Sequence, residues 1–165
     1  MKFKKEKKQK SKQTNGHGVN AVKTKADIVV AISGGFDPLH VGHIKLIKAA
    51  RKLGDSLVVI LNNDNWLSAK KSFIFMKQED RKEILEAMSD VDKVILSFHD
   101  DPPQDMSVCS ELEVLKPDIF ANGGDRLSSK VPERGICNEL GIEMKSNVGG
   151  RKMRSSSEIT NGGNK

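Results

Sequence analysis

Short apolar runs that alternate with stretches of helical spacing constrain this chain more than anything else in it. Residues 28–32 (IVVAI), 56–61 (SLVVIL), 94–98 (VILSF) and 118–121 (DIFA) are such runs, and 142–145 reads as a fifth. Continuous hydrophobicity over so few residues marks strands buried on both faces. Between them, residues 41–54 repeat Ile44, Ile47, Ala50 and Leu53 at helical spacing, with Gly54 read as the C-terminal cap. Gln78–Ser89 carries Glu79 and Asp80 in its first turn and Ile84, Leu85 and Met88 on one face. A helix after Pro102–Pro103 carries Met106, Cys109, Leu112 and Leu115, and another opens at Pro132 and ends at Leu140–Gly141. Strand–helix alternation predicts an α/β fold, a parallel sheet with helices on both faces. Ligands in such sheets bind beyond the carboxyl ends of the strands. The polar segments 33–43, 62–72 and 122–130 each follow a strand and are expected to converge there.

The chain has 165 residues, enough for one domain, and 36% hydrophobic residues, which argues against full disorder. No apolar run is long enough for a membrane span. No apolar stretch follows the basic start, so a signal peptide is not expected and a cytoplasmic location is. Two cysteines make no disulfide framework. Cys109 and Cys137 fall on apolar helix faces and read as inert core residues. Residues 1–25 hold nine lysines and one acid, while the other 140 hold 19 basic and 21 acidic residues. The basic character therefore belongs to the start. Residues 1–26 read as a disordered basic arm and 27–165 as the domain. The arm either is a solvated tail or anchors nucleic acid or acidic lipid electrostatically. Its single aromatic, Phe3, offers little stacking.

Ser33-Gly34-Gly35-Phe36-Asp37-Pro38-Leu39-His40-Val41-Gly42-His43 joins the first strand to the first helix. Two glycines bring backbone close to a ligand. His40 and His43, about one turn apart, can face the same way at a helix start, where free N–H groups and the positive dipole end favour an anion. The combination suits phosphate charge that builds up in a transition state. The alternatives are a pair of histidines that cap a turn, or two zinc ligands with no evident third.

GGFDPLHVGH resembles the signature of the cytidylyltransferase-like nucleotidyltransferases, relatives of class I aminoacyl-tRNA synthetase cores with a Rossmann-like fold. The resemblance continues through Leu61-Asn62-Asn63-Asp64, Lys70 and Lys71, and Asp80-Arg81-Lys82. From Ser97-Phe98 through Pro103-Gln104, Lys116-Pro117-Asp118 and Gly123-Gly124-Asp125, it is most like the nucleotidyltransferase module of ADP-heptose synthase, with glycerol-3-phosphate cytidylyltransferase also similar. Ser155-Ser156-Ser157-Glu158-Ile159 resembles the closing motif. Two positions depart: Gly35 stands where many members have Thr, Ser or Cys, and Arg126 where an aromatic is usual.

The resemblance implies transfer of a nucleoside monophosphate from an NTP, ATP before CTP, to a phosphorylated acceptor, with Mg²⁺ and release of pyrophosphate. A sugar phosphate such as heptose 1-phosphate leads as acceptor; glycerol 3-phosphate with CTP is the alternative. A non-catalytic nucleotide-binding module is the alternative of another class. His40, His43 and Lys70, with Lys71 as substitute, are expected to handle the reacting phosphates. Gly34, Gly35, Phe36, Asp37, Gly42, Asn62, Lys71, Arg81, Gly123, Gly124, Asp125, Arg151, Arg154, Ser155, Ser156 and Ser157 are expected around the nucleotide. Asp37 either holds the turn or lies near the metal, and Arg81 either serves the site or pairs with a nearby acid. Trp66 is left open between core, interface and lid. A homodimer is expected by analogy.

Overall fold

The computed structural model describes residues 27–71, 73–124 and 131–150. The strands are β1 (Val29–Gly34), β2 (Ser56–Leu61), β3 (Lys93–Leu96), β4 (Ile119–Gly123) and β5 (Glu143–Val148). The helices are α1 (Val41–Arg51), α2 (Asp64–Lys70), α3 (Gln78–Glu86), α4 (Cys109–Leu115) and α5 (Arg134–Leu140). The strands form one sheet in the order β3-β2-β1-β4-β5, and every pairing is parallel. The order reverses between β1 and β4, which opens a crevice at their carboxyl ends.

Alternation along the strands separates two cores. Val30 and Ile32 of β1, Val59 and Leu61 of β2 and Ala121 of β4 face Ile47 and Ala50 of α1 and Leu85 of α3. Ala31, Ile60 and Phe120 point the other way, towards Leu112 of α4 and Cys137 of α5. Helices therefore cover both faces, as the alternation of elements predicts.

The differences from expectation have local causes. α2 lies inside the segment read as a polar loop. It is a single short helix whose N-cap, Asn63, accepts the Trp66 N–H at 3.0 Å. Ile84 is exposed, and the buried side chains of α3 are Arg81 and Leu85. Met106 precedes α4 and is exposed, and Cys109 is only partly buried. Burial pushes both thiols up, that of Cys137 to about 11, which keeps them protonated and unreactive. Gly141 caps α5 with a left-handed φ of 71°, as expected.

Gly54 is not a helix cap. α1 is capped at Lys52 in a right-handed conformation, and Gly54 has no positive φ. It is glycine because a Cβ there would stand 2.6 Å from the Ile28 carbonyl oxygen and 2.7 Å from Val30 Cγ2. Gly54→Ala is expected to lose about 2 kcal/mol of stability, since overpacking against backbone has no flexible partner to yield. A thermal midpoint lower by roughly 6 °C checks it.

Candidate active site

The first turn of α1 explains the spacing of its histidines. His40 is the N-cap, and its Nδ1 accepts the Gly42 N–H at 3.1 Å. His43, at the third helical position, reaches back, and its Nδ1 accepts the His40 N–H at 3.3 Å. This is a capping box with imidazoles in place of the usual hydroxyl and carboxylate. A Cβ at Gly42 would meet His40 Cε1 at 2.8 Å, so any other residue there must displace the His40 ring. The rings stack at 3.9 Å, and Phe36 packs against His43 with centroids 4.8 Å apart.

The backbone N–H is always the donor, so each Nδ1 is an acceptor and each neutral ring carries its proton on Nε2. The histidines do cap the turn, and they do so with the nitrogen that a ligand would not need. Burial, then His40 and Lys71, push His43 down to about 3. At neutral pH His43 is a neutral donor.

Asp37 ties two loops together. Its carboxylate, 1% exposed, accepts the Phe75 N–H at 3.0 Å and the Met76 N–H at 2.7 Å. Lys71 Nζ donates to the Asp37 carbonyl oxygen and lies 3.8 Å from its carboxylate. Of the two lysines, Lys71 is the one brought beside the glycine-rich loop. Lys70 Nζ lies 4.4 Å from the centre of the Trp66 ring. The indole of Trp66 donates to the Met106 carbonyl at 2.9 Å. Trp66 and Leu67 wall off Gly35, where a Cβ would approach Leu67 Cδ2 to 2.8 Å. A larger side chain at position 35 meets this wall.

Arg81 does not present its guanidinium to a ligand. It is 0% exposed, and Nη1 donates to Gly35 O at 2.6 Å and Asn62 O at 2.8 Å. Nε donates to Met76 O at 3.0 Å, and Nη2 pairs with Asp64 at 2.6 Å. The nearby acid it pairs with is Asp64. Phe36 likewise lies buried, with a left-handed φ of 50°, so its ring supports His43 from below. Gly34 and Gly35 end β1 at the crevice, and Gly123 packs on Leu46 of α1. Gly124 follows in a turn at φ 69°. Asp125, Arg126, Arg151, Arg154 and Ser155–Ser157 lie outside the described residues.

Residues 31–156 match the family model described as cytidylyltransferase-like. The chain belongs to the cytidylyltransferase-like family. It is 37% identical over 132 residues to the bifunctional protein HldE of Streptomyces coelicolor, which covers 78% of this chain and 27% of that protein. It thus spans about a quarter of the length of the bifunctional relatives it matches. It is 32% identical over 116 residues to the FAD synthase of Aciduliprofundum boonei, over 70% of this chain and 74% of the relative. The crystal structure of the lipopolysaccharide core biosynthesis protein from Thermoplasma volcanium GSS1 superposes with a TM-score of 0.59 at 32% identity, covering 73% of this chain and 93% of that one.

Two features of this cytidylyltransferase-like chain escaped the reading of its sequence. Asn63 caps α2 and also donates to the carbonyls of Ser97, at 3.2 Å, and His99, at 2.8 Å, so it ties α2 to the end of β3. Its signal was Asn three residues before a buried Trp, a helix-start pattern too short to stand out. Asn122 ends up buried beside the crevice and had no signal beyond its place before Gly123-Gly124.

Two measurements follow. Arg81→Lys loses about 3 kcal/mol in urea unfolding, because a point donor cannot serve three carbonyls and a carboxylate. His43 folds with a pKa near 3 against 6.5 ordinarily, so between these values the unfolded chain takes up a proton that the folded one refuses. Its contribution is complete above pH 6.5 and is lost as the pH falls towards 3. Wild type is expected to lose up to about 1.4 kcal/mol per pH unit more than His43→Gln in this window. Urea midpoints at pH 7, 6 and 5 read the difference.

Proposed function

We propose that this chain transfers a nucleoside monophosphate, AMP first, from its triphosphate to a sugar phosphate such as heptose 1-phosphate and releases pyrophosphate. The observation that carries this reading is the pair of histidines locked by their Nδ1 atoms at the start of α1, beside the β1/β4 crevice. The motifs that resemble the ADP-heptose synthase module, and the similarity to HldE, favour the sugar phosphate. The FAD synthases, named for a product that contains an adenylyl group, favour ATP over CTP.

In this reading an acceptor phosphate oxygen attacks the α-phosphorus of the NTP. A P–O bond forms there as the bond to the β-phosphate oxygen breaks, and pyrophosphate departs with the electron pair. An acceptor phosphate with a second pKa near ~6 arrives ionised. The protein contributes position and charge stabilisation. His40 and His43 donate from Nε2 to the α- and β-phosphate oxygens. Lys71 supplies positive charge at the glycine-rich loop, and Lys70 supplies it from the Trp66 side. Asp37 and Arg81 hold the loops that carry these groups. Arg151, Arg154 and Ser155–Ser157 complete the phosphate grip. Mg²⁺ comes with the triphosphate. Among the described residues no group of three His, Cys, Asp or Glu side chains is placed to hold a metal, and the Asp37 carboxylate is taken by backbone N–H groups. None of the described helices is long and apolar enough to cross a membrane.

Pyrophosphate release with ATP·Mg²⁺ and heptose 1-phosphate tests the reading. His43→Ala is expected to lower kcat about 10²- to 10³-fold, the effect of removing one transition-state donor. ATP·Mg²⁺ is expected to raise the thermal midpoint of wild type more than CTP·Mg²⁺ does. Absence of turnover with every NTP and acceptor pair tried would transfer weight to the non-catalytic module.

A further inference from the structure

Glu111 is a buried carboxylate that the fold leaves without a counter-ion. It is 2% exposed. Among the described residues its carboxylate accepts one hydrogen bond, from the Phe98 N–H to Oε1 at 2.5 Å, and it enters none of the ion pairs. Oε2 therefore has no donor. It is not one of the fully enclosed polar atoms without a partner, which among the described residues are Asn62 Oδ1 and Asn122 Nδ2, so it opens on the space that Glu111 lines. A charge taken out of water is costly, and one backbone N–H does not offset that cost. A group in this state calls for a specific explanation.

That space is a cavity of about 160 Å³ between the end of β3 and the start of α4. Phe98, Asp100 and Asp105 line it and are exposed, while His99 and Ser107 are buried in its wall beside Glu111. No lysine or arginine lines it, and Lys70 lies over the Trp66 ring instead. His99 spends both ring nitrogens within the fold, on Ser97 Oγ at 2.6 Å and Ser107 O at 2.9 Å. Its carbonyl accepts Asn63 Nδ2 at 2.8 Å and Asn65 Nδ2 at 3.0 Å, so the wall is fixed before a ligand arrives. Ser107 donates its hydroxyl and its N–H to Asp105, which holds that carboxyl below its usual range and keeps it charged. Ionised carboxylates only accept hydrogen bonds, so the cavity repels phosphate and asks for a cationic donor. Among the described residues no group of three His, Cys, Asp or Glu side chains is placed to hold a metal ion, so these acids do not converge on one. An ammonium tolerates wider spacing, because it carries three donors and is also attracted to an aromatic face such as that of Phe98. The volume is close to that of a cavity that takes benzene, which sets the ligand at roughly five or six heavy atoms. The end of a lysine side chain is of this size.

We propose that this cavity binds a primary alkylammonium group, with Glu111 at its floor, Asp100 and Asp105 at its mouth and Phe98 over the cationic end. Two sources carry such a group: a free alkylamine, and the nine lysines of residues 1–25. The cavity lies on the α4 side of the sheet and the histidines on the α1 side, and the inference does not rest on the nucleotidyl-transfer reading.

Titration of the full-length, ¹⁵N-labelled chain with n-butylammonium chloride tests it, with n-butanol and sodium chloride as controls. The amide signals of Phe98, whose N–H reads Glu111 directly, and of Ser107 should move together and saturate, and neither control should reproduce the shift. Glu111→Gln keeps an acceptor for the Phe98 N–H and loses the charge; Kd should weaken about tenfold or more, the loss of a hydrogen bond to a charged group. Asp100→Asn, at an exposed position, and Phe98→Leu, which keeps the backbone N–H, should each weaken it about threefold. If Glu111→Gln does not fold, these two variants decide the question. Changing the nine lysines of residues 1–25 to Gln in the full-length chain separates the sources. Binding of n-butylammonium that tightens about threefold or more shows that one of these lysines competes for the cavity in wild type, and unchanged binding assigns the cavity to a free amine; both support the ammonium site. Equal affinity for n-butanol, or an unchanged Kd in Asp100→Asn and Phe98→Leu and in any Glu111→Gln that folds, would overturn the proposal. Mg²⁺ alone that moves the same signals with higher affinity than n-butylammonium would make the acids a metal site and overturn it as well.

Discussion

One guanidinium, that of Arg81, determines where the two strand ends and the loop beyond them lie. Gly35 O belongs to the exit of β1, Asn62 O to the exit of β2, Met76 O to the segment that leads into α3, and Asp64 to the first turn of α2. Each of these carbonyls would otherwise be left unpaired at the edge of a core. An ionised fork buried without water is expensive on its own, so its four acceptors and the charge form a unit that stands or falls together. Asp37 makes the reciprocal arrangement from the other side. An acceptor there gathers two backbone N–H groups of the same segment that Arg81 holds by a carbonyl. The glycine-rich loop is clamped by opposite charges, and neither is spent on the ligand.

The histidine pair depends on this clamp. Phe36 keeps a left-handed backbone and a buried ring under His43 because the residues on both sides of it are held: Gly35 by Arg81, and Asp37 by the segment at 75–76. Backbone strain of this kind persists only where the surroundings over-determine it. The capping box then fixes ring orientation and tautomer in one step, so helix geometry and donor chemistry share the same atoms.

The sheet and its helices were legible because buried parallel strands and amphipathic helices leave periodic traces; β2 matches its expected span residue for residue. The histidine motif was legible because each of its members is needed for a local reason, down to the missing Cβ of Gly42. The part that was hidden depends on distance in sequence. Arg81 reads only as a site residue or the partner of a nearby acid, because the carbonyls it serves lie up to 46 residues away. Gly54 reads as a cap because the carbonyl that excludes a Cβ belongs to Ile28, on another element. On α3 the expected Leu85 is buried, but Ile84 is exposed and Arg81 turns inward beside Leu85. Asn122 left no trace, because an unpaired carboxamide is defined by what does not touch it.

The capping box has one more consequence. In each histidine one nitrogen is occupied by a backbone N–H and the other already carries the ring proton. His43 resists a second proton until far below neutrality. A site built this way sorts its substrates by acidity before it sorts them by shape. Under the proposed function, an oxygen that must lose a proton on arrival finds no base in this pair, whereas one that has lost it in solution meets donors. The deprotonation step is then left to the solvent.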